Sequence, residues 1–151
     1  MLDVGCGTGR VGEAVVAAGA RPYVAVDVSP RMVRLTSMRV PEAEVVRADF
    51  LTLELARTFD VVLALGVFEY VDDAPRAAEW LRARCASTLV ASFTRWDWLK
   101  GPLRHVHYEL IHRLPVREYT EERVEELLGR AGFSTVGYPF RGRRGFVVTA
   151  S

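Results

Sequence analysis

Cysteine is scarce in this chain. Cys6 and Cys85 are the only two, they lie far apart, and they form no CxxC pair. A disulfide framework is excluded, and two reduced thiols in a cytosolic protein are expected. Neither sign of charge is in excess: 20 Lys and Arg oppose 19 Asp and Glu, for a net charge of +1. General electrostatic attraction to nucleic acid or to a membrane surface is therefore not expected. Long apolar runs are missing too. The longest, around residues 61–68, is far too short to cross a bilayer. No signal-peptide pattern opens the chain, so a cytoplasmic location is expected. Histidine is limited to His105, His107 and His112. There is no internal repeat and no linker. What remains is 151 residues, half of them apolar, enough for one domain (1–151) with a real core.

Glycine is concentrated where it matters. The chain opens Leu2-Asp3-Val4-Gly5-Cys6-Gly7-Thr8-Gly9-Arg10-Val11-Gly12. An apolar strand end runs into three glycines spaced two apart, and a helical pattern follows. Glycine permits positive φ and carries no Cβ, so such a backbone turns sharply and can touch a ligand. The following helix directs its first amides at the same place. The stretch reads as the floor of a nucleoside-type cofactor site at the C-terminal edge of a parallel sheet. Gly5, Gly7 and Gly9 spell GxGxG, while Gly7, Gly9 and Gly12 also spell the dinucleotide pattern GxGxxG, so the loop alone does not name the cofactor.

The rest of the chain alternates strands and helices. Residues 10–18 show helical spacing, with Val11, Ala14, Val15 and Ala18 as the apolar stripe and Gly19 as the residue beyond the C-cap. Residues 23–28 read as a second strand. Ser29-Pro30 opens a second helix with an N-cap hydroxyl and a first-turn proline, and Pro41 ends it. Residues 44–48 read as a third strand. Residues 59–65, nearly unbroken in apolar character, read as a central strand buried on both faces. A helix opening at Asp72-Asp73-Ala74-Pro75 runs to about Arg84, with Glu69 and Asp72 facing solvent or capping it. Residues 88–93 make a fifth strand. Thr120 starts an amphipathic helix with Val124, Leu127, Leu128 and Ala131 inward, and Gly132 ends it. Two closing strands, 133–138 and 145–150, are joined by a turn at Arg141-Gly142-Arg143-Arg144-Gly145, whose arginines read as solvated. The fold class is α/β: a Rossmann-like, doubly wound, mostly parallel sheet with an antiparallel C-terminal edge hairpin, in three layers α/β/α. Met1 falls almost inside the first strand. A doubly wound fold is expected to have more of strand 1, and often a helix before it. A fragment, a misplaced start and a naturally minimal chain all fit.

Three carboxylates, Asp3, Asp27 and Asp49, fall at or beside the ends of the first three strands. Asp27 lies about 20 residues beyond the glycine loop, the spacing of a carboxylate that bonds ribose hydroxyls. Asp49 is placed to accept a bond from an exocyclic adenine amine, with Phe50 stacking on the ring and Met32 covering its other face. Asp3 separates the cofactor classes. A carboxylate just before the turn opposes a pyrophosphate but suits a cationic ligand carrying an ammonium and a sulfonium. No Lys or Arg precedes the turn to serve a phosphate.

Leu2-Asp3-Val4-Gly5-Cys6-Gly7-Thr8-Gly9, Val26-Asp27-Val28-Ser29, Ala48-Asp49-Phe50 and the run from Phe59 through Leu65-Gly66-Val67-Phe68-Glu69-Tyr70-Val71 together resemble the class I S-adenosylmethionine-dependent methyltransferases of the small-molecule type. The resemblance implies S-adenosylmethionine as cofactor. It places residues 5–9, Cys6 among them, around the methionine portion, Asp27 with Val28 at the ribose, and Asp49 with Phe50 at the adenine. The backbone of Leu65 and Gly66 would face the methionine amine. Family members also close with an antiparallel strand. Two departures stand out: Tyr70 occupies a position where many small-molecule members carry histidine, and the N-terminal helix that often covers the cofactor is missing.

Methyl transfer from a sulfonium needs positioning above all, and a base only when the acceptor must lose a proton. No fixed catalytic motif is present. Residues 94–118 read as an acceptor-side insert. It holds Trp96, Trp98, Tyr108 and all three histidines, with Trp96, Trp98 and Tyr108 as substrate contacts. Tyr70 and His107 are the candidate catalytic residues. No metal is expected, because His105, His107 and His112 lack further ligands. The sequence thus points to methyl transfer onto a small, partly apolar molecule, oxygen favoured as acceptor, by a monomer or homodimer with no nucleic-acid or membrane partner. Two alternatives stay open: an NAD(P)-dependent oxidoreductase, resting on Gly7, Gly9, Gly12 and Asp27, and a truncated, non-catalytic cofactor-binding or interaction module.

Overall fold

The computed structural model describes residues 1–95 and 117–151. Their elements run β1 (Leu2–Val4), α1 (Arg10–Ala17), β2 (Val24–Asp27), α2 (Pro30–Arg39), β3 (Glu44–Arg47), a 3-10 turn (Phe50–Thr52), β4 (Phe59–Ala64), α3 (Ala74–Arg84), β5 (Cys85–Thr94), α4 (Glu121–Arg130), β6 (Val136–Arg141) and β7 (Gly145–Ala150). Seven strands form one sheet in the order β3-β2-β1-β4-β5-β7-β6. The first five are parallel; β7 inserts antiparallel between β5 and β6.

Alternate residues of β2 show the layering. Val24 and Val26 join the core formed with Ala77, Ala78 and Leu81 of α3 and Val124 and Leu128 of α4. Ala25, with Tyr23 just before the strand, turns the other way and packs with Val16 of α1 and with Val40 just beyond α2. The sheet therefore lies between helices, as a parallel sheet with buried faces must. Under the post-β4 loop sits an aromatic group: Phe68 stacks on Phe93 at 4.7 Å, and Tyr119 meets Phe93 edge-on at 5.1 Å.

Local chemistry sets the helix starts. The Ser29 hydroxyl accepts the Met32 amide with Pro30 in the first turn, Asp73 accepts from Arg76, and Thr120 accepts from Arg123. Glycines at positive φ, Gly19 and Gly132, follow α1 and α4.

Three expectations are corrected. In α1, Val11, Ala14 and Ala18 are exposed, and the buried residues are Gly12 and Val16. The reason is Tyr23, whose ring lies where a Cβ on residue 12 would be, so the helix seats its glycine against the sheet. β5 begins at Cys85, directly after α3, rather than at residue 88. β6 begins at Val136 rather than 133, because Ser134 and Thr135 bond instead to the Ser151 carbonyl.

Candidate functional site

The C-terminal ends of the parallel strands collect the candidate residues. The order reverses at β1, which lies between β2 and β4; a topological switch point of this kind opens a ligand crevice. The loop leaving β1 is fixed from below. Gly5 and Cys6 both donate their amides to the Val26 carbonyl, at 2.8 and 3.1 Å. Gly5, Gly7 and Gly9 all have positive φ, between 57° and 74°. At Gly5 a Cβ would come within 2.7 Å of Val67 Cγ2, and at Gly9 one would come within 3.0 Å of the Thr36 backbone. Only glycine fits this path. Gly9 also precedes α1 without a side-chain cap, which leaves first-turn amides free for a ligand oxygen.

Asp27, the last residue of β2, ties this loop to the next. Its carboxylate accepts from the Gly7 amide (2.9 Å) and the Ser29 amide (2.8 Å). Each oxygen keeps a second lone pair for a diol. Beyond β3, Asp49 is exposed and accepts from the Leu51 amide at 3.0 Å, which fixes the 3-10 turn. Phe50 beside it is half-buried, with its ring edge-on to Trp80 at 5.3 Å. Val28 is exposed and Met32 half-buried at the start of α2. After β4, Leu65 is half-buried, and Gly66, at φ +69°, donates its amide to Ser92 Oγ (2.8 Å). Gly5, Gly7, Gly9, Asp27, Asp49, Phe50, Leu65 and Gly66 thus share one edge of the sheet.

Two expected contacts lie deeper. Asp3 is only 2% exposed and sits behind the loop, where the Tyr23 hydroxyl donates to it at 2.5 Å. In this form it faces Tyr23 and does not line the mouth of the site. Cys6 is likewise turned inward, its Sγ 3.5 Å from Thr36 Oγ1, and burial pushes its thiol up to about 11, so it stays protonated. Tyr70 is 58% exposed, next to the loop that holds Gly66. Trp96, Trp98, His107 and Tyr108, with most of the expected insert 94–118, lie outside the described residues. Glu69 corrects an expectation: it is 8% exposed, neither solvent-facing nor a cap, because Thr94 holds its side chain. The cap of α3 is Asp73, while Asp72 is exposed and pairs with Arg117.

Sequence reasoning missed the residues that brace the site. The Thr36 hydroxyl donates to the Gly7 carbonyl at 2.9 Å, and Arg39 donates to the Thr8 carbonyl at 2.8 Å. The available signal for Thr36 was its helical spacing from Met32 and Val33, which puts it on the inward stripe of α2. Ser92 and Tyr23 gave no local signal, because their partners are 26 and 20 residues away.

Burial pushes the Asp3 carboxyl up to about 6; the Tyr23 bond opposes the rise and the Asp27 charge adds to it. Asp3 is therefore ionised at pH 7.5, at a cost to the fold. An acid whose folded pKa lies above its unfolded 3.8 lowers stability as pH rises from about 4 to 6, and the cost is complete above 6. Asp3→Asn keeps an acceptor for Tyr23 and removes the charge. It is expected to raise the unfolding free energy at pH 7.5 by about 1–3 kcal/mol, with the gain shrinking toward pH 4. Urea denaturation at both pH values measures this, and an equal effect at both would refute the burial origin.

Residues 1–88 match the family described as a methyltransferase domain. No curated protein sequence matches the chain. Solved structures share the fold at low identity. The magnesium protoporphyrin IX methyltransferase of Synechocystis PCC 6803, with bound S-adenosylhomocysteine, superposes with TM-score 0.78 at 21% identity, over 99% of this chain and 72% of that one. An S-adenosylmethionine-dependent methyltransferase from Mesorhizobium loti gives TM-score 0.79 at 19% identity, over 99% and 88%. Human N-acetylserotonin methyltransferase, in complex with S-adenosylmethionine, gives 0.75 at 20%, over 99% and 46%. With the glycine loop, Asp27 and the antiparallel β7 in place, and more than half of its length matched, the chain belongs to the methyltransferase-domain family.

Proposed function

We propose that the chain binds S-adenosylmethionine and transfers its methyl group to a small, partly apolar molecule, oxygen being favoured over nitrogen or carbon as the acceptor atom. The observation that carries this reading is the strand order. A dinucleotide-binding sheet of this class runs 3-2-1-4-5-6, all parallel, whereas here an antiparallel β7 separates β5 from β6.

The residues fit the cofactor. The glycine path of residues 5–9 leaves backbone close to the ligand, and a Cβ at Gly5 or Gly9 would intrude on Val67 or Thr36. Asp27 takes the ribose hydroxyls on its free lone pairs, and Asp49 with Phe50 takes the adenine. The open amides of α1 suit the methionine carboxylate. Asp3, behind the loop, supplies negative potential without contact. Bound S-adenosylmethionine supplies an already activated methyl group. The chain's task is then to orient the acceptor and exclude water. Tyr70 and His107 are candidates for contact with the acceptor, and Trp96, Trp98 and Tyr108 for its apolar wall. The domain is taken as 1–151 with an acceptor-side insert at 94–118. Two free, buried cysteines suit a cytoplasmic location.

Calorimetric titration with S-adenosylmethionine, S-adenosylhomocysteine and NAD in parallel tests the cofactor. Binding of the first two and not NAD is expected. Binding of NAD alone would make the chain an oxidoreductase candidate, and binding of none would favour a non-catalytic domain.

A further inference from the structure

Glu69 is a buried carboxylate that the fold does not fully use. Its Oε1 accepts from the Thr94 hydroxyl at 2.9 Å, while Oε2 is buried with no hydrogen-bond partner among the described residues. Leaving a carboxylate oxygen unpaired away from water is costly, so a partner is called for. Burial raises the pKa of the Glu69 carboxyl from its ordinary value, against the hydrogen bonds from its own backbone and from Thr94 that lower it.

Glu69 lines an open groove of about 530 Å³ at the C-terminal end of β5 and the tip of the β6–β7 hairpin. Phe140, Phe146 and Val147 give the groove an apolar wall, and Arg143 and Arg144 stand at the hairpin tip. Both arginines are exposed, and neither forms an ion pair with any described residue. Ser92 also lines the groove, and its hydroxyl accepts the Gly66 amide, so one side chain of the groove touches the loop assigned to the methionine end of the cofactor. The Glu69 loop is firmly held: Arg117 donates its amide to the Glu69 carbonyl at 3.0 Å, and Tyr119 donates to the Phe68 carbonyl at 3.1 Å.

We propose that this groove is the acceptor subsite, that the Glu69 carboxylate receives the acceptor's hydroxyl proton, and that Arg143 and Arg144 hold an anionic tail. The substrate class is an aromatic hydroxy acid: a hydroxyl at the Glu69 end, an apolar body along Phe140 and Val147, and a carboxylate at the hairpin. In the transfer, the acceptor oxygen forms its bond to the methyl carbon, the carbon–sulfur pair leaves with sulfur, and the hydroxyl proton passes to Glu69. This inference rests on the cofactor reading above.

The test is a binding cycle on protein saturated with S-adenosylhomocysteine, using para-hydroxyphenylacetate, its para-methoxy counterpart and tyrosol as probes. Wild type should bind the hydroxy acid at least about tenfold more tightly than the methoxy acid, since a charge-assisted hydrogen bond contributes roughly that much. Glu69→Gln, which keeps an acceptor for Thr94, should reduce the preference to under about threefold while leaving S-adenosylhomocysteine affinity unchanged. The double variant Arg143→Ala/Arg144→Ala should remove the preference for the hydroxy acid over tyrosol. With S-adenosylmethionine, Glu69→Gln should lower kcat on the hydroxy acid by about 100-fold or more with little change in KM. Equal hydroxyl preference in wild type and Glu69→Gln, or no binding of the hydroxy acid to cofactor-loaded protein, overturns this subsite and leaves the cofactor reading intact. Failure of S-adenosylhomocysteine to bind overturns both.

Discussion

Phe68→Ala is expected to lower the unfolding free energy by about 3–5 kcal/mol, a large part of what holds a domain of this size together. Phe68 is fully buried. Its ring stacks on Phe93 at 4.7 Å and meets Tyr119 edge-on at 6.4 Å, and its carbonyl accepts from the Tyr119 hydroxyl. Truncation leaves a cavity between β5 and the segment entering α4, and rigid aromatic neighbours collapse poorly into such a space. The loop from Gly66 to Tyr70 should loosen with it, because Phe68 is its anchor. Chemical denaturation measures the loss, and a drop in Tm of roughly 10 °C should accompany it. A change under about 1 kcal/mol would show that the aromatic group is not the keystone of this end of the sheet.

Asp27→Ala should weaken S-adenosylmethionine binding by roughly two orders of magnitude. Two hydrogen bonds from ribose hydroxyls to an ionised carboxylate contribute about 3 kcal/mol together, and 1.4 kcal/mol is tenfold in affinity. The same carboxylate accepts from the Gly7 and Ser29 amides. Its removal therefore also frees the glycine loop, and part of the lost affinity comes from ordering that loop again on binding. Asp27→Asn separates the two effects. It can still accept from one amide and one hydroxyl, and should fall between wild type and alanine. Calorimetry on both variants, with circular dichroism to confirm the fold, decides the matter. Unchanged affinity in a folded Asp27→Ala protein would remove Asp27 from the site.

What was legible in the sequence was local. A GxGxG turn after an apolar strand, Ser29-Pro30 at a helix start and Asp27 at a strand end each carry their geometry within a few residues. The closing hairpin was equally plain, from two β-rich runs around a glycine turn. What was hidden depends on partners far along the chain. Glu69 looked like a solvated acid until β5 brought Thr94 to it across 25 residues. Asp3 looked like a ligand contact until Tyr23 was found donating to it behind the loop. The buried face of α1 differs from its apolar stripe because close approach to the Tyr23 ring selects Gly12, and periodicity of large residues cannot signal a contact made by the absence of a side chain. Polarity alone assigns such groups to the surface, and only tertiary packing overrides it.

The most direct measurement is a crystal structure of the chain soaked with S-adenosylhomocysteine. The ligand should lie over the loop of residues 5–9, with both ribose hydroxyls about 3 Å from the Asp27 carboxylate and its amino acid end beside Gly66. Density elsewhere on the protein, or a ribose turned away from Asp27, would contradict the assignment of this edge of the sheet as the methyl-donor site.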